Sequence, residues 1–437
     1  MNRYEKQLEV FKQWVANVTS KLDTDLSLKL WNGDIVPLGI NAKQDMLVVI
    51  NSNDAITRLI HKPKLTTIFE LYYESLLDIE GGTPLDMLKR WDHIGALGII
   101  RSMSKLELFK TFWPFVLSAK KNVSAENLAY TKSVAGKVTK GRDDQELIQF
   151  HYDLSNEFYS LFLDENMVYS CGYFKTFDTS LEQAQVDKLE MICKKLRLKE
   201  GDRFFDIGCG WGGLVCYAAQ YFGVQAYGVT LSQEQFEFAQ AKIKRLGLED
   251  RVTIELRDYR SVTGSERFDK IAQIGMFEHV GFDNHDKHFE HVHTLLRPRG
   301  LYLHHAITRP ATPDIKKFNK KTGYKEVVSK FIFPGGELDY IGLTVTNLER
   351  HRFEIHDVEN WREHYQLTLE HWVQRLWENR ELAKKEVGWS KTRLWLLSFS
   401  LFYMGFKRCT TSVFQTLASK RRIGPSDLPP TRDDLYR

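Results

Sequence analysis

Apolar positions along this chain recur at two spacings, three or four residues apart in some stretches and nearly continuous or alternating in others. Near the start, Tyr4, Leu8, Phe11 and Trp14 fall on one face of a helix. Residues 46–50 (MLVVI) read as a strand and 66–77 as a helical stretch. Residues 121–147 (KKNVSAENLAYTKSVAGKVTKGRDDQE) are polar, with little apolar area to offset the entropy of ordering. They read as a linker between an N-terminal domain, 1–120, and a larger one, 148–437. In the larger part the pattern alternates: helix 186–196, strand 203–207, a glycine turn, helix 214–221, strand 225–229, helix 234–246, then strands 252–256, 270–274 and 300–304. Strands alternating with helices imply right-handed crossovers and an α/β fold with a doubly wound parallel sheet. From 358 onward the pattern reads as helical and rich in Trp and Leu.

A length of 437 residues suits two or three domains. With 43% hydrophobic and 27% charged residues, disordered, collagen-like and coiled-coil classes are excluded. The five cysteines, at 171, 193, 209, 216 and 409, contain no CxxC pair, which argues against a disulfide framework or a structural zinc site and for a reducing, cytoplasmic setting. The N-terminus lacks the apolar run of a signal peptide. The longest apolar run, 394–406, falls short of the roughly 20 residues that span a bilayer. A net charge of +4 is small for a protein that tracks nucleic-acid phosphates. Aromatics reach 13%, enough for a large core or for a pocket that takes an apolar ligand. Residues 379–437 carry 12 Lys and Arg against 5 Asp and Glu, a balance suited to anionic phospholipid headgroups or to an ordinary solvated helix face.

The sharpest local signal is 204–213, FFDIGCGWGG: an apolar strand, an acidic residue, then glycines at 208, 210 and 212 leading into a helix. Such glycines let a ligand approach backbone at the C-terminal end of a strand. Asp206 is placed to meet a ligand that carries a cation, or to order the turn. The DxGxGxG pattern resembles motif I of class I S-adenosylmethionine (SAM) methyltransferases. The next strand ends in GVTLS without the carboxylate that usually meets a ribose, and Gln235 follows one turn into the helix. Asp258 could accept from an adenine amine, with Tyr259 stacking beside it.

Taken together, GCGWGG, VTLSQEQ, RDYR and 275–281 (GMFEHVG) resemble cyclopropane-fatty-acyl-phospholipid synthases and the related mycolic acid cyclopropane synthases. The likeness runs from 151–156 (HYDLSN) and 167–173 (MVYSCGY) to 331–338 (FIFPGGEL). In the N-terminal third, 77–82 (LDIEGG) resembles the extra lipid-binding domain of the phospholipid-modifying members. The resemblance implies a class I SAM methyltransferase fold with that domain in front and helical elements behind. It implies SAM contacts at Tyr169, Ser170, Asp206, Gly208, Gly210, Gly212, Thr230, Gln235, Asp258 and Tyr259. It also implies a bicarbonate ion held by Cys171, Glu278, His305, Ile307 and Tyr365. One departure is that some relatives carry a cysteine in a C-terminal helix where this chain has Phe402, with Cys409 further on.

Alone, each anion-site residue has a plainer role. Glu278-His279 would cap a helix, Cys171 would be a small buried residue, Tyr365 would be core, and of the neighbours His304 and His305 one would be structural because strand side chains alternate faces. The implied reaction is SAM-dependent methylene transfer to cis double bonds of phospholipid acyl chains, giving cyclopropanes. The same first step could instead end in a methyl-branched or methylene product. An alkene is a poor nucleophile, so the site must align donor and alkene, exclude water and stabilise positive charge, which aromatic faces serve. The implied partners are unsaturated phospholipid in the inner membrane leaflet, reached by peripheral contact, and a second copy of the chain as a homodimer. Metals and nucleic acid are not expected.

Overall fold

The computed structural model describes residues 2–91, 93–102, 109–116, 154–314, 318, 320, 322–333 and 335–436. The expected linker 121–147, the motif residues 151–153 and Pro334 lie outside them. The chain divides into two compact units: Met1–Gly136, Lys321–Phe331 and Val373–Leu401 in the first, and Lys137–Lys320, Ile332–Trp372 and Phe402–Arg437 in the second.

In the first unit, strands β1 (Ser27–Lys29), β2 (Ile35–Pro37), β3 (Leu47–Ile50) and β4 (Leu77–Glu80) form a sheet in the order β2-β1-β3-β4. The opening helix, Arg3–Thr19, has a capping box between Asn2 and Glu5 and buries Phe11, Val15 and Val18 in the core of this unit. The helical stretch expected over 66–77 ends at Tyr73, because Ser75 takes φ +59 and breaks the ladder, and Leu77 opens β4. Arg393 is buried in this unit, donating to the carbonyls of Tyr72 and Leu77 and to Asp78.

Among the described residues, the second unit holds a seven-stranded sheet. Its strands are β5 (Arg203–Ile207), β6 (Gln225–Thr230), β7 (Val252–Leu256), β8 (Phe268–Ile274), β9 (Leu296–Thr308), β10 (Phe353–Asn360) and β11 (Ser412–Lys420), in the order β10-β11-β9-β8-β5-β6-β7. The five strands β5 to β9 run parallel. On β5 the side chains alternate between two cores. Phe204 joins Leu189, Ile192, Leu214 and Ile243 on one face, while Phe205 and Ile207 join Phe289, Val292 and Leu348 on the other. Burial on both faces is why these strands read as apolar runs.

Two expectations change here. The sheet is mixed, since β11 pairs antiparallel with both β9 and β10. The region after 358 is not wholly helical: it closes β10, runs through helices Arg362–Glu378, Arg380–Val387 and Trp389–Lys407, and then returns to the sheet as β11. Strand β9 also continues past 304 to Thr308, which brings His305 and Ile307 into the sheet. No helix among the described residues is long and apolar enough to cross a membrane.

Candidate functional site

Chain order reverses between β5 and β8, and a cavity opens at their C-terminal ends, where doubly wound sheets bind ligands. Its wall takes Tyr169 and Ser170 from the segment between the helices Asn156–Ser160 and Leu181–Lys195, Asp206, Gly208 and Gly210 from the turn after β5, Thr230 and Gln235 after β6, and Asp258 and Tyr259 after β7. Gly208 has φ +79, and a Cβ there would lie 3.1 Å from Met276, another wall residue. Gly212 is the exception among the expected contacts. It caps the helix Gly213–Phe222 at φ +80 against Ile254 and Ala239, and it is not part of the wall.

The wall is held by its own hydrogen bonds. Thr230 Oγ1 donates to Gln235 Oε1 at 2.7 Å. The Tyr259 hydroxyl meets His288 Nδ1 at 3.0 Å, and its carbonyl meets His291 Nε2 at 3.0 Å. Both oxygens of Asp258 accept from Arg260; burial opposes ionisation there, yet those bonds hold the carboxyl below its ordinary value. Trp211 donates to Asn156 Oδ1 at 2.6 Å, and Tyr169 stacks on Trp372 at 5.1 Å.

Asp206 is buried, and its Oδ1 has no hydrogen-bond partner among the described residues. Burial pushes its carboxyl up to about 7, against the pull of Lys188. Lys188 also lines the cavity and donates to Ser170 Oγ at 2.9 Å; burial pushes its ammonium down to about 8. An orphaned carboxylate oxygen in a cavity with glycine walls fits a ligand that brings its own donor or positive charge, as SAM does with its ammonium and sulfonium groups.

The five expected anion-site residues lie behind this wall rather than on it. Cys171 follows Ser170, Glu278 follows Met276 by two positions, and the carbonyl of His305 accepts from the N–H of the wall residue Gly275 at 2.9 Å. Glu278 Oε1 accepts from Ile307 N at 2.6 Å, which ties two of the five together. Trp361 joins two of the others, its carbonyl receiving the Cys171 thiol at 3.7 Å and its ring meeting His305 edge-on at 5.6 Å; Tyr365, four residues on, shares with it only the backbone bond of the helix start at 3.0 Å, and its ring packs on Phe406 at 4.7 Å. His305 and Ile307 are two apart on β9 and share a face, whereas His304 points the other way, into Tyr302, Phe277 and Phe289.

Burial decides the protonation of this cluster. It pushes Glu278 up to about 7, the Cys171 thiol up and His305 well below its usual range. The cysteine is therefore a thiol and the histidine neutral near pH 7. Glu278 Oε2 and Trp361 Nε1 are buried without hydrogen-bond partners among the described residues. A neutral imidazole, two residues along β9 from the Ile307 N–H that Glu278 binds, accompanies the orphan acceptor Glu278 Oε2, and together they suit a small anion that carries a proton of its own, as bicarbonate does. In the C-terminal helix, Phe402 stacks on Phe333 and the exposed Cys409 lies beyond the helix end.

Sequence reasoning missed Lys188, Trp361 and Gln415. A lysine in an amphipathic helix reads as a solvent-facing residue, and only its full burial distinguishes it. Gln415 sits on β11, which the apolar pattern did not separate from the preceding helix.

The family described as mycolic acid cyclopropane synthetase matches residues 139–416. A probable fatty acid methyltransferase from Pseudomonas putida is 33% identical over 417 residues, 95% of this chain and 97% of that protein. The cyclopropane-fatty-acyl-phospholipid synthase of Escherichia coli (strain K12) is 43% identical over 227 residues, 52% of this chain and 55% of that protein. Among solved structures, the mycolic acid cyclopropane synthase CmaA1 complexed with SAH and CTAB aligns with TM-score 0.60 and 28% identity, covering 64% of this chain and all of that one. The cyclopropane synthase MmaA2 from Mycobacterium tuberculosis aligns at 0.59 with the same identity and coverage.

Proposed function

The chain belongs to the mycolic acid cyclopropane synthetase family, and from that membership and the site geometry we propose that it adds a methylene group across the cis double bond of an unsaturated phospholipid acyl chain. It is a SAM-dependent methyltransferase acting on lipid acyl chains, as its family does. The finer assignments, namely ring formation, the phospholipid substrate and the bicarbonate site, are proposals.

In the cofactor cavity, Asp206, Thr230, Gln235, Asp258 and Tyr259 would hold the donor, with Tyr169 and Ser170 at its reactive end. SAM supplies there an electrophilic methyl group for one alkene carbon. The protein keeps the site dry and lines it with aromatic rings that favour the positive charge left on the other carbon without attacking it. Tyr169 on the wall would supply the nearest ring, stacked on Trp372, whose own ring lies 6.1 Å from that of Tyr365 behind the wall. Behind the wall, Glu278, His305, Tyr365 and the Ile307 backbone would hold bicarbonate, which supplies a base for the proton released as the ring closes. Cys171 would act as an uncharged neighbour, since burial keeps its thiol protonated.

The observation that carries this proposal is the orphaned Oε2 of Glu278, whose Oε1 is fixed by Ile307 N next to His305, directly behind the cavity wall. A second outcome, a methyl-branched or methylene product, is favoured by one finding: the relative that matches over nearly the whole chain is named a fatty acid methyltransferase. The two outcomes differ only in which proton leaves. Membrane contact would be peripheral, through the first unit and the basic C-terminal region. Incubating the protein with SAM and dioleoyl phosphatidylglycerol vesicles, then separating the released fatty esters by gas chromatography, distinguishes ring, branch and methylene. A product with no added carbon refutes the assignment altogether.

A further inference from the structure

Three side chains from three different elements meet behind His305. Gln415 is its cross-strand partner on β11, and Gln415 Nε2 lies 3.2 Å from His305 Nδ1. The other end of the same amide, Oε1, accepts from Lys195 Nζ at 2.7 Å. Lys195 comes from the helix Leu181–Lys195, is 1% exposed, and pairs with Glu359 on β10. Gln415 is itself wholly buried.

The donor inventory of this chain of groups allows one arrangement. An ammonium only donates, so the amide end facing Lys195 is the oxygen and the end facing His305 is the NH2. An NH2 facing Nδ1 requires that nitrogen to accept, and in a neutral imidazole the proton then sits on Nε2. Burial keeps the ring neutral. The geometry points to Gln415 as a positioning residue that, oriented by Lys195 and Glu359, locks His305 as an Nε2–H donor.

This rests on the anion site proposed above and adds a consequence to it. With Nδ1 occupied by the amide and Nε2 already protonated, His305 has no lone pair with which to take a proton. It donates a hydrogen bond to the anion and is not the base. Glu359 neutralises a lysine that would otherwise be an unpaired buried charge, so the relay holds the amide without placing net charge beside the imidazole.

Two measurements on the 437-residue chain test this. In protein labelled with 15N-histidine, the His305 signals, identified by their loss in His305→Gln, should show a protonated Nε2 and an accepting Nδ1. Gln415→Glu places an acceptor opposite Nδ1, so the proton should move there and Nε2 should lose its donor. Turnover with SAM and vesicles should then fall about 10- to 100-fold, taking as the guide the loss seen when a group that orients a metal-bound histidine is removed. The apparent KM for bicarbonate should rise while that for SAM stays the same. Lys195→Met frees the amide to flip and should raise the bicarbonate KM in the same direction. A protonated Nδ1 in the unaltered protein overturns the proposal with no variant needed, as does a Gln415→Glu protein with unchanged tautomer and bicarbonate KM. Turnover that ignores bicarbonate in the unaltered protein would sink the anion site instead, and the ring signals would still decide the relay.

Discussion

Replacing Glu278 by Gln should make the protein more stable at pH 8 and less active, and both effects can be sized from the structure. Burial raises this carboxyl from 4.5 to about 7, the hydrogen bond from Ile307 N already included. A carboxyl whose folded-state pKa lies above its unfolded value binds its proton more tightly when folded. Its contribution to stability is therefore fully present below pH 4.5 and is lost as pH rises to about 7. At about 1.4 kcal/mol per pH unit, the ionised Glu278 costs about 3 kcal/mol at pH 8. Gln fills the same space, keeps an oxygen for Ile307 N and does not titrate. Thermal unfolding followed calorimetrically should show the two proteins alike near pH 4.5 and Glu278→Gln ahead by several degrees at pH 8. Asp206 is also pushed up to about 7, but it titrates alike in both proteins and cancels; Asp339, likewise pushed up to about 7, repels the Glu278 charge, so losing that charge relieves Asp339 as well and acts in the same direction. Activity should move the other way. Exchanging the orphan Oε2 for an NH2 removes a charged acceptor worth about 1.5–3 kcal/mol, or roughly 10- to 150-fold in turnover on vesicles. A variant that is less stable than its parent at pH 8, or that keeps full turnover, would refute the view that this carboxylate is held for chemistry at a cost in stability.

Three further outcomes follow from the same geometry. Gly212→Ala should destabilise the second unit by about 1–3 kcal/mol, since φ is +80 and the new methyl would crowd Ile254 and Ala239, yet SAM affinity by calorimetry should hold; Gly208→Ala, whose methyl would press on the wall residue Met276, should lose affinity. Iodoacetamide on the folded protein should label the exposed Cys409 and spare Cys171, with turnover unchanged after labelling, as read by peptide mass spectrometry beside the vesicle assay. Arg393→Met should cost about 1–3 kcal/mol in the first unit, because the carbonyls of Tyr72 and Leu77 lose a buried donor while the partly exposed Asp78 can turn to water; denaturant unfolding measures it.

How legible each part was follows from how local its cause is. Strand β5 and the glycine turn after it are written in adjacent residues, and the cavity wall at Asp206, Gly208 and Gly210 follows from them. Thr230 and Gln235 were accessible for the same reason, one turn apart on a strand-to-helix junction. The end of the helix at Tyr73 was not, because a serine at positive φ gives no glycine signal. Nor was β11: in VFQTLA the apolar residues are interrupted only by Gln415 and Thr416, both buried, so no exposed polar alternation marks a strand. The residues proposed to hold the anion stand up to 194 positions apart, from Cys171 to Tyr365, and no local pattern joins them. They were named only through resemblance, and Trp361, which touches Cys171 and His305, gave no signal at all.

The least legible strand does the most to define the chemistry. A parallel strand beside β9 would need a crossover and would offer a different register. An antiparallel one, reached directly from the helix Trp389–Lys407, sets Gln415 squarely opposite His305 and has β10, with Glu359, as its other neighbour. Lys195 reaches the same point from the far end of the helix that also carries Lys188 to Ser170. One helix therefore sends a lysine to each of two sites, the cofactor wall and the back of the histidine. The spacing between the cofactor wall and the proposed anion site is thereby set by a rigid element and a sheet edge rather than by loops. That is the arrangement expected where a positive charge on carbon must meet a base before it meets water, since a shift of about 1 Å in either group costs on the order of 100-fold in rate.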